Sequence, residues 1–338
     1  CNIMVDSKDE KILEALEENP KRSISSLALR IRSSKAVAEY RLRRLEKNGV
    51  ISHFGTVFNP AIVGYEQYRV FFSFNSISES EKERILAFLR KQSCIYWAAL
   101  IGFKWDLLTV VYVEDYTTFE RFMESVFAEF PKEIKSYDAA YTLEHEFYSH
   151  KFLEKKSRGR VPASTVSIDS SSVKQVIPLD KLDLDIIDLI MKDARASSLS
   201  IASRCRVNYK TVQNRIKRME NCGLICGYRT FLNSEKLGFR PYLVLVSFHG
   251  YAKLKEKQVL AYAKAHPLIT QTTRLFGKWN LLLHFRVKDE SELQRTLSEL
   301  KSRFDVIGDC EVVRIFSNVW IEHFPIRNIE LRKARKLS

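Results

Sequence analysis

Residues 9–141, moved forward by 174 positions, fall on residues 183–315 without an insertion or a deletion. The identities come in clusters. Asp9 and Ile12 meet Asp183 and Ile186; Ser26 and Arg30 meet Ser200 and Arg204; Arg41, Arg44, Glu46, Gly49 and Ile51 meet Arg215, Arg218, Glu220, Gly223 and Ile225. Farther on, Asn59 and Gly64 meet Asn233 and Gly238, Lys104-Trp105 meets Lys278-Trp279, and Asp115 meets Asp289. A repeat constrains the fold before any local reading, because both copies must obey the same folding rules. This period is far too long for a solenoid unit, so the chain is two homologous modules in tandem.

Each module opens with three helical patterns. Ile12, Leu13 and Leu16, and Ile186, Ile187 and Ile190, occupy one helical face. Asp9 and Asp183 stand where an N-cap carboxylate is expected. Second helices are predicted over 25–31 and 199–205, with Ala28 and Ala202 in their middles allowing close approach. Third helices follow over 35–48 and 209–222 and stop at Gly49 and Gly223, the residue type suited to a left-handed C-terminal cap. Ala38, Leu42 and Leu45, and Val212, Ile216 and Met219, face the core. With apolar extended segments at 50–58 and 224–232, each unit reads as a winged helix-turn-helix. Strand, helix, strand, strand, helix, strand follow in both copies, the ferredoxin-like βαββαβ order.

The expected fold class is therefore α+β, with two tandem repeats. Winged helices span 1–59 and 179–233, and ferredoxin-like domains span 60–150 and 234–326. A polar, basic stretch at 151–178 reads as a flexible linker, and 327–338 as a basic tail. The net charge of +14 is unevenly held: residues 1–150 carry 20 Lys/Arg against 22 Asp/Glu, leaving 35 against 19 for the rest. That asymmetry points to a polyanionic partner met mainly by the second half. At 45% apolar and 28% charged the composition is globular, and no apolar run is long enough to span a membrane. The six cysteines do not coincide between copies, so they form no shared disulfide framework and read as reduced thiols of a cytoplasmic protein.

The stretches Arg41-Leu-Arg-Arg-Leu-Glu-Lys-Asn-Gly-Val-Ile51 and Arg215-Ile-Lys-Arg-Met-Glu-Asn-Cys-Gly-Leu-Ile225 carry a resemblance. Asn59-Pro-x-x-x-Gly64, Asn233-x-x-x-x-Gly238, Gly102-Phe-Lys-Trp-Asp106 and Gly277-Lys-Trp-Asn280 follow at matching distances. Each repeat resembles a member of the Lrp/AsnC (feast/famine) transcription regulators, from winged helix through the ferredoxin-like, RAM-type effector domain. The resemblance implies double-stranded DNA as partner, dimerisation through the ferredoxin-like domains, and an amino acid or related metabolite as effector near the glycine turn. It places Gly102, Trp105, Asp106, Gly277, Trp279 and Asn280 at the effector sites. In the family a glycine commonly precedes the recognition helix; here those positions are Arg32 and Arg206.

The candidate DNA-contacting residues are Lys35, Tyr40, Arg43 and Arg44 in copy one, and Tyr209, Lys210, Gln213, Asn214, Lys217 and Arg218 in copy two. Gln and Asn pair bidentately with adenine and Lys reaches guanine acceptors. Arg44, Lys47, Arg218 and Arg229 are expected to reach phosphate. Glu39 repels phosphate in the middle of the first face, so copy two is expected to dominate affinity. Asp106 can hold an amino group by charge and Asn280 cannot, so ligand sensing is expected to be asymmetric.

No catalytic motif, metal site or cofactor fingerprint is present, and the chain is expected to be a regulator without cofactor or enzymatic activity. Two other readings share this fold plan. Siroheme decarboxylases look similar to these regulators, but they carry a His-rich stretch where this chain has Cys94-Ile-Tyr-Trp-Ala-Ala-Leu and Ile269-Thr-Gln-Thr-Thr-Arg-Leu. An adaptor whose winged helices bind proteins is the other. The duplication is expected to build, within one chain, the pseudo-two-fold pair that relatives build from two subunits. Further homo-oligomerisation has no residue-level support.

Overall fold

The computed structural model describes residues 5–151, 165–170, 176–250, 253–321 and Ile329. The basic tail and much of the stretch between the copies, including Arg158 and Arg160, lie outside the described residues.

Each copy begins with a capped helix, α1 (Ser7–Glu18) and α6 (Lys181–Lys192). The N-caps are Asp6 and Asp180, not Asp9 and Asp183 as expected. Asp9 and Asp183 sit one turn inside and reach back to the cap backbone N–H, closing a capping box. Both carboxylates are buried and receive guanidiniums from the third helix. Arg41 and Arg44 bind Asp9, while Arg215 and Arg218 bind Asp183 at 3.1 and 2.5 Å. The Arg-x-x-Arg spacing seen in both copies thus clamps the third helix to the first.

The second helices are α2 (Ile24–Arg30) and α7 (Ser198–Cys205), and the third are α3 (Lys35–Lys47) and α8 (Tyr209–Asn221). Arg32 and Arg206, in the turns between them, adopt left-handed φ values of 51° and 55°. That conformation favours glycine, and both copies hold it with arginine.

After the third helices, β1 (Ile51–Phe58) and β7 (Ile225–Leu232) pair with each other rather than within their own units, Ile51 opposite Leu232 and Phe58 opposite Ile225. The bonds around this ribbon repeat under the pseudo-two-fold. Thr56 Oγ1 donates to Ile190 O at 2.7 Å, and Thr230 Oγ1 to Leu16 O at 3.0 Å. Asn59 N donates to Leu224 O and Asn233 N to Val50 O, both at 2.9 Å. Each winged helix is therefore completed by the other copy.

The ferredoxin-like order is observed twice. Copy one runs β2 (Glu66–Phe74), α4 (Glu79–Lys91), β3 (Ile95–Gly102), β4 (Leu107–Val113), α5 (Tyr116–Glu129) and β5 (Ile134–Phe147). Copy two runs β8 (Arg240–Phe248), α9 (Lys253–Ala265), β9 (Ile269–Phe276), β10 (Leu281–Val287), α10 (Glu290–Arg303) and β11 (Ile307–Ile321). Among the described residues the strand order is β2-β4-β3-β11-β8-β10-β9-β5, and β5 returns to β2. Both edges of each four-stranded sheet are thus occupied by the other copy, which removes four open edges.

Helices cover the outer faces, over one apolar cluster that includes Val70, Val111 and Phe122 and another that includes Val244, Phe285 and Leu300. A third cluster, with Phe71, Ala99, Leu108, Leu243, Leu245 and Leu282, fills the space between the sheets. Burying each such side chain contributes roughly 1.5–3 kcal/mol, so this shared layer binds the copies together. The stretch between the copies is not wholly a flexible linker. Its residues Val166–Asp169 form β6, antiparallel to β5, and Val166 and Ile168 are buried beside Val57. An alternating apolar pair is enough to recruit a short strand where a sheet edge is available.

Candidate nucleic-acid interface

Helix α8 is anchored by Val212 and Met219, both fully buried. Asn208 caps its N-terminus, its side chain accepting from Lys210 N at 2.8 Å. That anchoring leaves Tyr209, Lys210, Gln213, Asn214 and Lys217 exposed on the opposite face, as expected for a groove-reading helix. None of these five has a charged partner among the described residues. Helix α3 presents Lys35, Ala36, Tyr40 and Arg43, also exposed, but Glu39 accepts from Arg43 Nη2 at 2.6 Å. The first face is therefore partly self-neutralised and the second is not.

Of the expected phosphate contacts, Arg229 is corrected by the structure, and Arg44 and Arg218 have a second task. Arg44 and Arg218 each bind a buried aspartate, Asp9 and Asp183, which fixes the third helices, while Arg218 remains exposed. Arg229 is buried and donates from Nη2 to Tyr148 O at 2.9 Å, with Glu17 supplying the nearest favourable charge. Removing it from water lowers its pKa, so it fastens the ribbon to the end of β5 and does not face solvent. Lys47 remains exposed. Arg32 and Arg206, which are not among the expected contacts, are also exposed, at the turn leading into the third helix. Their signal was a long cationic side chain at a position where glycine is easiest.

Of the residues expected at the effector sites, Asp106 and Gly277 are exposed and the two tryptophans are not. Trp105 and Trp279 are 3% and 2% exposed and belong to the cluster between the sheets. Trp105 Nε1 donates to Glu311, and Trp279 Nε1 to Asp138 at 3.2 Å. Both tryptophans pack the junction of the copies, with carboxylates of the opposite copy at their N–H groups. Asp106 accepts from Phe74 N and Asn280 from Phe248 N, each at 2.7 Å, so the two perform one structural task. The expected asymmetry between them is not expressed in their contacts, because the atom each uses is an oxygen acceptor. The offset of the glycines has a geometric consequence. Phe103, with φ 83°, stands where copy two has Gly277, and Gly102 lies so close to Phe316 that a Cβ there would collide with its ring.

A different set of polar residues was missed altogether. Arg69, His284 and Arg286 lie on the same strand faces as Phe71 and Leu282, pointing between the sheets, and all three are buried or nearly so. The sequence signal was cations at period-two positions within otherwise apolar strands.

A sequence profile described as winged helix-turn-helix DNA-binding matches residues 5–52 and again 179–225. An HTH-type transcriptional regulator of Pyrococcus abyssi is 30% identical over 118 residues, 35% of this chain and 78% of that protein. The leucine-responsive regulatory protein of Haemophilus influenzae is 26% identical over 44% of this chain and 90% of its own length. In three dimensions the siroheme decarboxylase NirDL is similar along the whole chain. It covers 98% of this chain and 100% of its own, with TM-score 0.62 and 12% identity, and NirDL in co-complex with an iron-uroporphyrin III analogue scores 0.63. At that identity the likeness establishes the shared fold of two fused modules. With the repeat, both winged helices and the curated relatives taken together, the chain belongs to the Lrp/AsnC family of HTH-type transcriptional regulators, in two tandem copies.

Proposed function

We propose that this protein is a sequence-specific, double-stranded DNA-binding transcriptional regulator whose affinity is modulated by a small metabolite, and that it is not an enzyme. One observation carries the reading: α8 exposes Tyr209, Lys210, Gln213, Asn214 and Lys217, uncommitted to any protein partner, on a helix fixed by its apolar face. A face sealed against protein would have ended this reading. Because the ribbon of β1 and β7 holds both winged helices in one body, the heads read two half-sites in fixed relation, roughly 34 Å or a multiple of it apart. Their faces differ, so the target is expected to lack strict palindromy.

The test is selection of bound sequences from random DNA, followed by titration of the best site over a range of salt. Regulator function requires a common sequence and an affinity falling steeply with salt, since neutralised phosphates release counterions. Perfect inverted repeats would refute the inequivalence of the heads. Salt-independent binding to protein in place of DNA would favour an adaptor.

A second reading, siroheme decarboxylation, has one observation in its favour: His145 and His284 lie beside buried arginines between the sheets, with ring centroids 5.7 Å apart. Mass analysis after incubation with siroheme separates the readings. A regulator leaves the pigment intact, whereas decarboxylation removes carbon dioxide from it.

A further inference from the structure

Between the sheets and the winged-helix ribbon lies a cavity of about 530 Å³. On the sheet side Trp97 and Ile315, which pack against the apolar layer containing Phe71 and Leu282, line it, and its roof is the ribbon, through Ser52, Thr56, Phe58 and Phe231. Where the inward strand faces reach this space their chemistry changes from leucine and phenylalanine to Gln67, Arg69, His284 and Arg286.

The charges in this space are unbalanced. Among the described residues no carboxylate lies within ion-pairing distance of Arg69 or Arg286. The one acidic side chain lining the cavity, among the described residues, is Glu235, which is exposed and whose charge favours the Arg286 cation. Arg69 is 5% exposed; its Nη2 meets His145 Nδ1 at 3.1 Å, and its Nε has no hydrogen-bond partner. His284 Nε2 is likewise buried without a partner. His145 Nε2 is spent on Gln271 Oε1 at 3.1 Å, which leaves Nδ1 to accept from the guanidinium. Loss of hydration pulls both arginines down to about 10 and holds both histidines neutral. A buried guanidinium without an anion is strongly unfavourable, so Arg69, together with Arg286 whose only favourable acidic charge is the exposed Glu235, leaves this cavity with a demand for negative charge.

The repeat register adds a second constraint. Under the shift of 174 positions Arg69 answers to Leu243, Val110 to His284, Tyr112 to Arg286 and Trp97 to Gln271. A pair of identical subunits would present each side chain twice about its axis. Here the two walls differ, so the cavity is one asymmetric seat per chain. Trp97, Phe147, Phe231 and Phe316 supply apolar walls, and the volume suits a molecule larger than an amino acid.

We propose that this cavity is the ligand site of the chain, taking one organic polycarboxylate with a flat or apolar body, its carboxylates held by Arg69 and Arg286. The site is separate from the glycine turns. Because the ribbon carrying both winged helices is its roof, occupancy acts directly on the DNA-reading heads; only this coupling rests on the regulator reading.

The test uses the full chain and trimesate, a flat benzene tricarboxylate, in titration calorimetry. One trimesate per chain is expected, with the uncharged benzene trimethanol binding at least ~10-fold more weakly. Arg69→Gln and Arg286→Gln should each weaken trimesate by about 10-fold or more, the scale of one charge-assisted pair. Lys217→Gln, on the DNA face, should not. Thermal unfolding without trimesate supplies a readout independent of binding. If the arginines are kept for a ligand, Arg69→Met and Arg286→Met raise the melting temperature by roughly 2 °C or more. Absent trimesate binding, binding indifferent to both arginines, or lowered melting temperatures in both Met variants would overturn the proposal. DNA binding by the ligand-free chain tests the regulator reading separately.

Discussion

The two winged helices share a frame and differ in what they present. Asp9 with Arg41 and Arg44, and Asp183 with Arg215 and Arg218, form the same clamp. Thr56 and Thr230 make the same bond to the opposite copy. On the exposed flank the likeness ends, because Glu39 ties down Arg43 while Gln213 and Asn214 leave Lys210 and Lys217 free of neighbouring acid. Between the sheets the copies part again, Arg69 against Leu243 and Val110 against His284. Positions that hold the pair together are repeated, and positions proposed to meet another molecule are not. Duplication inside one chain permits this, since each half can change without altering the other.

The shared frame can be broken first, with the largest effect. Asp9→Ala and Asp183→Ala each strand two guanidiniums around an emptied buried site, and each should lower stability by about 3 kcal/mol in urea unfolding. A large loss in one copy alone would show that the clamps are not equivalent. Next comes the recognition face. Lys210→Gln with Lys217→Gln should reduce affinity for the selected DNA by roughly 30-fold, about 2 kcal/mol, and flatten the salt slope by about two. Lys35→Gln with Arg43→Gln should do distinctly less. Equal losses, read by fluorescence anisotropy, would erase the difference claimed for the heads.

Acid sharpens the comparison between the sheets. Histidines ordinarily titrate near 6.5, and burial first, then the positive charge of nearby Arg69, keeps His145 and His284 neutral well below that. The unfolded chain therefore binds more protons as pH falls, so stability is whole above pH 6.5 and declines beneath it. By pH 5.5 the loss should be about 1 kcal/mol for each histidine, and His145→Gln or His284→Gln should flatten the corresponding part of the curve. The smallest effect concerns the turns. Arg32→Gly and Arg206→Gly relieve a left-handed arginine and should each stabilise the protein by about 1 kcal/mol. Arg206→Gly should weaken DNA binding several-fold in the same preparation, and unchanged affinity would remove Arg206 from the interface.

Much of the architecture was legible because periodicity reports local geometry. The third helices, the glycines that end them and both βαββαβ runs follow from spacing alone. The expected N-cap was wrong by one turn, since Asp9 and Asp183 look like caps until their burial against the arginines of the third helices is seen. Arg229 looked like a phosphate contact because a cation in a strand beside a recognition helix carries no mark of burial. The tryptophans of the glycine turns were expected at effector sites, and in the structure both pack between the sheets against the opposite copy.

What the amino-acid order determined is the content of each half: two capped three-helix heads, two split βαβ sheets, and a basic surplus in the later copy. Each depends on residues within a few positions of one another, and 3.6- and two-residue periods encode such neighbours directly. Only the tertiary structure decided that β1 would pair with β7 across the repeat, that the sheets would close edge to edge, and that four buried basic side chains from distant strands would share one cavity. Contacts between residues more than a hundred positions apart leave no period to read. They are set by which apolar faces find each other once the halves have formed.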